Sequence, residues 1–169
     1  VADLLISEMQ ANGAYLIKDF ATVERLTQLL TVEGAPNKKY IGKNASVILE
    51  AVGISVGADV RTIIYEVPAD HITVMDEYLM PLLPVVRVKN VDEGIVLAVK
   101  VEGGGRHSAM MHSRDVRNIT KYSKAIETTI LVKNGPSYAG VGLGGEGFVS
   151  LSFARPSGVG LTSARTFTR

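Results

Sequence analysis

The stretch ILVKNGPSYAGVGLGGEG, residues 130–147, sets a short apolar run against a long glycine-rich loop. Ile130, Leu131 and Val132 fit a half-buried pleated surface, and the Asn134-Gly135 and Gly135-Pro136 steps are turn formers that end the run. The run opens at residue 128 as TTILVK, and others of its kind lie upstream: VRTIIYEV at 60–67, LPVVRV at 83–88 and HSAMMH at 107–112. Helical spacings separate them: a short one at 73–79, then 91–102 carried by Ile95, Leu97, Ala98 and Val101, then 114–126. Strand runs alternating with helices predict parallel pairing through right-handed crossovers, hence an α/β fold with an open, mostly parallel sheet and flanking helices. Such sheets place ligands at the carboxyl ends of their strands, where Lys133, Asn134, Gly135 and Pro136 stand.

Outward from this centre, Leu4, Leu5, Met9 and the residues on to Tyr15 have helical spacing, and Asp19 is placed to cap a helix carrying Val23, Leu26, Leu29 and Leu30. The break at 34–37 is followed by Asn44, a candidate cap for a short helix with Val47, Ile48 and Val52 that ends near Gly53. Beyond Gly147, FVSLSFARPSGVGLTSARTF reads as extended segments joined by a turn at 155–160. Without an internal repeat or a low-complexity linker, the 169 residues are expected to form a single domain.

Composition narrows the function classes. A hydrophobic content of 46% is ample for a core, and a net charge of +1 with interspersed signs offers no basic face for nucleic acid. Apolar runs such as LLPVV at 82–86 fall far short of the roughly 20 residues a membrane span needs. A soluble chain is expected, with neither nucleic acid nor membrane as partner. The start, VADLLISEMQ, lacks the basic and apolar regions of a secretory signal. The chain has no cysteine, which removes disulfides and thiolate metal sites and agrees with a reducing, cytoplasmic setting.

Gly142, Gly144 and Gly147 satisfy GxGxxG, but a dinucleotide fingerprint needs a helix on the last glycine and an acid about 20 positions later. Strand-like residues follow instead, and Phe167 stands where the acid would be, so a loop rich in positive φ is the better reading. His107 and His112 are an odd number of residues apart, on opposite faces of a strand, so no metal site is expected. No serine lies in a nucleophile elbow, and Arg106 and Lys133 read as solvated surface cations.

Taken together, NKKYIGK at 37–43, LMPLLPVVRV at 79–88, RHSAMMHS at 106–113, the 130–147 stretch and TSARTF at 162–167 resemble the C-terminal part of the coenzyme-A-acylating aldehyde dehydrogenases. These are the propionaldehyde and acetaldehyde enzymes of propanediol and ethanolamine breakdown. The resemblance covers almost the whole chain and implies an aldehyde dehydrogenase catalytic-domain type of sheet. It implies NAD as cofactor, coenzyme A as cosubstrate, a short aldehyde as substrate and a homo-oligomer when intact. A bacterial microcompartment within the cytoplasm is implied in the same way.

The family works through a cysteine thioester, so the resemblance also implies that the nucleophile and the nucleotide-binding domain lie outside these residues, and that the chain alone is inactive. Glu77 precedes Tyr78-Leu79-Met80-Pro81, similar to the Glu-x-Phe-Gly-Pro motif whose glutamate holds the nicotinamide ribose. A carboxylate suits vicinal hydroxyls because it only accepts. His107 matches the histidine of the family's Arg-His-Thr-Ala motif, with Ser108 for threonine. An imidazole, with an ordinary pKa of roughly 6.5, is suited to take the proton of the attacking coenzyme A thiol. Leu79, Pro81, Asn134, Gly135, Pro136 and Ser137 would line the active-site tunnel. His71, in ADHITV, stands where the family has His-Pro-Phe-Val, and carries no assigned role. Two other readings stay open at this point: the aldehyde half of a fused alcohol/aldehyde dehydrogenase, and a catalytically dead scaffold.

Overall fold

The computed structural model describes residues 1–144 and 168. The chain divides between Arg87 and Val88 into two compact units.

The first unit runs α1 (Ala2–Ala11), β1 (Ala14–Ile17), α2 (Phe20–Leu30), β2 (Thr31–Val32), β3 (Ala35–Pro36), α3 (Ala45–Ala51), β4 (Thr62–Glu66), α4 (Ile72–Met75) and β5 (Leu82–Val85). Its sheet has the order β1-β4-β5 and is parallel throughout, with Ile63 opposite both Tyr15 and Leu82. The central strand β4 is sealed on both faces: Ile63, Ile64 and Tyr65 are fully buried. Continuous burial of this kind is what an apolar run without alternation demands. Val23, Leu26 and Leu30 of α2 and Ile48 and Leu49 of α3 pack into the same core. Asp19 caps α2 as expected, its carboxylate accepting from Thr22 N at 2.8 Å, and this bonding holds the Asp19 pKa below its ordinary value. Asn44 occupies the cap position of α3, but its side chain makes no capping bond.

Helical spacing does not continue to Tyr15. The first helix stops at Ala11, Gly13 takes φ +93°, and residues 14–17 form β1. A Cβ on Gly13 would also come within 3.1 Å of the Asp59 carbonyl oxygen, so glycine permits both the turn and the close approach. The helical pattern at 73–79 is likewise corrected to the single turn Ile72–Met75. Leu79, with φ +52°, has left the helical region.

The second unit comprises α5 (Val91–Glu102), β6 (Ser108–Met111), α6 (Val116–Ile126), β7 (Ile130–Lys133) and a 3-10 turn (Ser137–Val141). Asn90 caps α5 through Glu93 N at 2.9 Å, and Gly103 closes it in the left-handed conformation. Strands β6 and β7 pair in parallel, Ser108 opposite Ile130 and Met111 opposite Lys133. Ile95, Tyr122 and Ile126 form a small core against Ala109, Met111 and Leu131. The parallel pairing and flanking helices agree with the α/β expectation, but the four runs divide between two sheets. Strands β4 and β5 pair with each other and β1, and β6 with β7. The extended segments and turn expected beyond Gly147, and Gly145 to Gly147 of the loop, lie outside the described residues.

Among the described residues no helix is long and apolar enough to cross a membrane.

Candidate functional site

Glu77 lies in the connection between α4 and β5 with its side chain exposed and without a hydrogen bond or ion pair among the described residues. Asp76 and Leu79 near it are exposed too, but buried contacts lie on each side. Before it, His71 caps α4: its Nδ1 accepts from Thr73 N at 3.4 Å and meets the Thr73 hydroxyl at 2.8 Å. The other ring nitrogen, Nε2, is 3.8 Å from Glu24 Oε1 on α2. After it, Tyr78 is buried, and its hydroxyl is 2.6 Å from Thr31 Oγ1. Tyr65 lies in the same core, and its hydroxyl makes no hydrogen bond of ordinary length among the described residues. Burial pushes the Tyr65 pKa up to about 12, with the nearby Thr73 hydroxyl acting in the opposite direction.

Leu79 and Pro81 do come together. With Met80 they line an open groove of about 540 Å³ whose other wall includes Gly42, Lys43, Ala45, Val60 and Arg61. The groove is shaped by backbone: Gly42 N donates to the Leu79 carbonyl at 3.2 Å, and Ile63 N to the Pro81 carbonyl at 2.8 Å. Leu79 keeps 63% of its surface exposed despite its left-handed φ. A non-glycine residue in that region carries local strain, which recurs at ligand sites. Lys43 closes the NKKYIGK motif and Arg61 falls in the VRTIIYEV run, but the sequence assigned neither cation a role, since a lone cation reads as solvated surface.

In the second unit, His107 precedes the amino end of β6, exposed, with its carbonyl accepting from Ile130 N at 3.2 Å. Its imidazole has no partner among the described residues. Asn134, Gly135, Pro136 and Ser137 follow the carboxyl end of β7. From the parallel register His107 is level with residue 129, which separates it from Asn134 by about 16 Å along the strands at about 3.3 Å per residue. His112, not His107, is level with Asn134. Asn134 also has a structural task the sequence did not disclose: its amide accepts from Ser113 N at 2.8 Å and donates to Ser113 O at 3.0 Å, and so ties together the chain leaving both strands. Its φ of +54° is tolerable for asparagine. Gly140 sits so close to β7 that a Cβ would fall 2.3 Å from Ile130 Cγ2, so only glycine lets the 3-10 turn lie on the strand.

Of the two cations near these motifs, Lys133 is exposed as the sequence suggests, whereas Arg106 is half-buried and pairs with Glu127 at 2.5 Å. Among the described residues no cluster of three His, Cys, Asp or Glu side chains could hold a metal ion.

No family model matches the chain. It is 48% identical to the CoA-propanoylating propanal dehydrogenase of Salmonella typhimurium over all of this chain and 36% of that enzyme. It is 43% identical to the acetylating acetaldehyde dehydrogenase of the same organism over all of this chain and 37% of that enzyme. Among solved structures, Rhodopseudomonas palustris propionaldehyde dehydrogenase with bound CoA and an acylated cysteine superposes with a TM-score of 0.92 at 52% identity, covering 99% of this chain and 38% of that one. An engineered glycolyl-CoA reductase with bound NADP+ (52% identity, 99% of this chain, 38% of that one) gives 0.92 as well. A propionaldehyde dehydrogenase from the fucose utilisation bacterial microcompartment of Clostridium phytofermentans (43% identity, 99% and 38%) gives 0.90. The chain therefore spans little more than a third of the length of its relatives. Within that span the identity and the superposition agree, and the chain belongs to the coenzyme-A-acylating aldehyde dehydrogenase family.

Proposed function

We propose that the complete protein oxidises a short aldehyde with NAD and delivers the acyl group to coenzyme A through a cysteine thioester, a reversible reaction. The observation that supports this most is the likeness, over 99% of the chain at 52% identity, to an enzyme holding both CoA and an acylated cysteine. With no cysteine among its 169 residues, the chain draws the nucleophile, like the nucleotide-binding domain, from outside them. Residues 1–169 then supply most of one catalytic domain. The protein works as a homo-oligomer in the cytoplasm, within a microcompartment if it follows its Clostridium relative.

Glu77 fits a cofactor ribose: both carboxylate oxygens are unengaged among the described residues and can accept from adjacent hydroxyls. A nicotinamide cofactor, when bound, supplies the hydride acceptor. Leu79 and Pro81 in the first unit, and Asn134, Gly135, Pro136 and Ser137 in the second, are the residues that the family resemblance assigns to the tunnel lining. His107, with an imidazole unengaged by the described residues, accepts the proton of the coenzyme A thiol as its sulfur attacks the acyl carbon and the bond from that carbon to the cysteine sulfur breaks, releasing the cysteine as thiolate.

The test is to supply the complete protein with propanal, NAD and coenzyme A and to identify the acyl product. Equal amounts of NADH and propanoyl-CoA are expected. Free propanoate formed at the same rate with and without coenzyme A would overturn the reading, because water would then be resolving the intermediate.

A further inference from the structure

Glu77 is exposed, yet both flanks of it reach back to one helix. We propose that His71 and Tyr78 are positioning residues that clamp the segment 71–78 onto α2 and thereby hold the Glu77 carboxylate where a cofactor ribose would meet it. The inference rests on the reading of Glu77 given above.

The clamp begins at a helix too short to hold itself. Helix α4 has four residues, one turn, and an isolated turn is unstable because fixing its backbone yields a single closing bond. Its cap therefore decides whether it exists. Histidine is a rare cap, since Ser, Thr, Asp and Asn present an oxygen without a tautomer to choose. Here the geometry makes the choice: Thr73 N–H can only donate, so the Nδ1 it meets at 3.4 Å carries no proton. The Thr73 hydroxyl then donates to the same nitrogen at 2.8 Å, and the ring proton sits on Nε2, pointing to Glu24. At 3.8 Å this last contact is an electrostatic attraction rather than a hydrogen bond. Only 9% of the His71 side chain is exposed, so water is a poor substitute for these partners.

The second anchor is Tyr78, 6% exposed, whose hydroxyl meets Thr31 Oγ1 at 2.6 Å. Thr31 is the residue that follows α2 at its C-cap, and Glu24 lies within the helix seven residues before it, so the two anchors reach α2 and its carboxyl boundary. Backbone bonds join them: Asp76 N reaches Ile72 O at 3.0 Å, and the Leu79 carbonyl accepts from Gly42 N at 3.2 Å. Between the two buried hydroxyl contacts, Met75, Asp76 and Glu77 are exposed, and Glu77 is the one next to the Tyr78 anchor. A carboxylate held this way keeps its position before the ligand arrives, which is what a tight polar contact needs.

Two readouts on the complete protein test the clamp: the dissociation constant for NADH, by fluorescence, and amide exchange at Val74, Met75 and Asp76 without cofactor. His71→Ala should speed that exchange and weaken NADH binding by about fivefold, the size expected for a lost helix cap. His71→Asn, whose Oδ1 can accept from Thr73 N–H, should restore most of both. Tyr78→Phe should weaken binding by about threefold, as expected for one lost neutral hydrogen bond. In a Glu77→Gln background, His71→Ala should add no further loss, since the clamp acts through Glu77. The proposal is overturned if His71→Ala and Tyr78→Phe leave exchange and NADH binding unchanged, or if the His71→Ala loss is the same size with Gln at position 77. Failure of the Glu77 reading looks different: Glu77→Gln would itself leave NADH binding unchanged while His71→Ala still speeds exchange. Should His71→Ala not fold, Thr73→Val removes the hydroxyl at nearly constant volume and answers the same question.

Discussion

Gly140→Ala is a small change with a cost that can be worked out. The added Cβ would stand 2.3 Å from Ile130 Cγ2 and 2.8 Å from Val132 Cγ2, against the roughly 3.5 Å at which carbon atoms rest. Both neighbours are β-branched, with one stiff χ1 each, and both are buried, so neither can swing aside. Relief must come from lifting the 3-10 turn off β7 by about 1 Å, an overpacking distortion that costs about 1 to 3 kcal/mol. Against this stands a gain of about 0.4 to 1 kcal/mol, because alanine restricts the unfolded chain and Gly140 is not held at positive φ. The net expectation is a loss of about 1 to 2 kcal/mol. Amide exchange in the complete protein reads it at Ile130, bonded to His107 O, and Asn134, bonded to Met111 O, the two ends of β7. Combining Gly140→Ala with Ile130→Ala removes the worse contact, so the double variant should lose about 1 kcal/mol less than the sum of the singles. Unchanged or slower exchange in Gly140→Ala would refute the close approach on which the argument depends.

Other expectations follow from single groups. Tyr65→Phe removes a fully buried hydroxyl without a bond of ordinary length, so stability should be unchanged or rise by about 1 kcal/mol; a loss of that size in thermal unfolding would mean that Thr73 satisfies it. Arg87 binds Glu66 at 2.5 and 3.0 Å and holds the Glu66 pKa below its ordinary 4.5, and it lowers Asp3 in the same way. A depressed carboxylate stabilises the fold above its unfolded value and loses that contribution as pH falls through the folded one. Arg87→Gln should therefore lower stability modestly near neutrality, where both carboxylates are charged, with the difference shrinking as pH falls below about 4.5, and added salt should blunt it because the groups are exposed. His107→Asn should slow acyl transfer more than hydride transfer, so stopped-flow absorbance should show a burst of NADH before a slow steady state; equal slowing of both would assign His107 a structural part.

What the sequence disclosed and what it hid separate along physical lines. Period and residue type were enough for α2, α5, α6 and the parallel strands β4 to β7, because each buries a face whose pattern survives in the chain. They failed for β1, since AYLI is four residues long and an apolar run of that length continues a helical stripe as well as it starts a strand. They overextended α4 because Tyr78 faces the core at helical spacing yet gets there from an extended connection. Division into two sheets was hidden for a different reason: strand order depends on long-range pairing that no local pattern records. The site divided likewise. Leu79 and Pro81, two residues apart in one motif, share a groove wall, but that Asn134 braces Ser113, and that His71 caps a turn through one ring nitrogen, are consequences of tertiary contacts.

The two residues on which the proposed chemistry turns are held in opposite ways, and the difference suits their tasks. A group that orients a cofactor loses affinity for every rotamer it must give up on binding, so its backbone should be fixed in advance; Glu77 stands between two buried anchors. A group that carries a proton must be close to the thiol in one step and clear of it in the next, so it gains from a side chain without competing partners. His107 has this character, at the open amino end of β6, fixed through its carbonyl and unengaged through its ring. The same contrast explains why the motif around Glu77 tolerates Leu79 and Met80 in place of an aromatic and a glycine. What the proposed ribose contact would need from the segment 71–78 is a rigid origin, and in this chain Thr73, His71, Tyr78 and Thr31 would provide it through side chains, leaving positions 79 and 80 free to shape the groove wall.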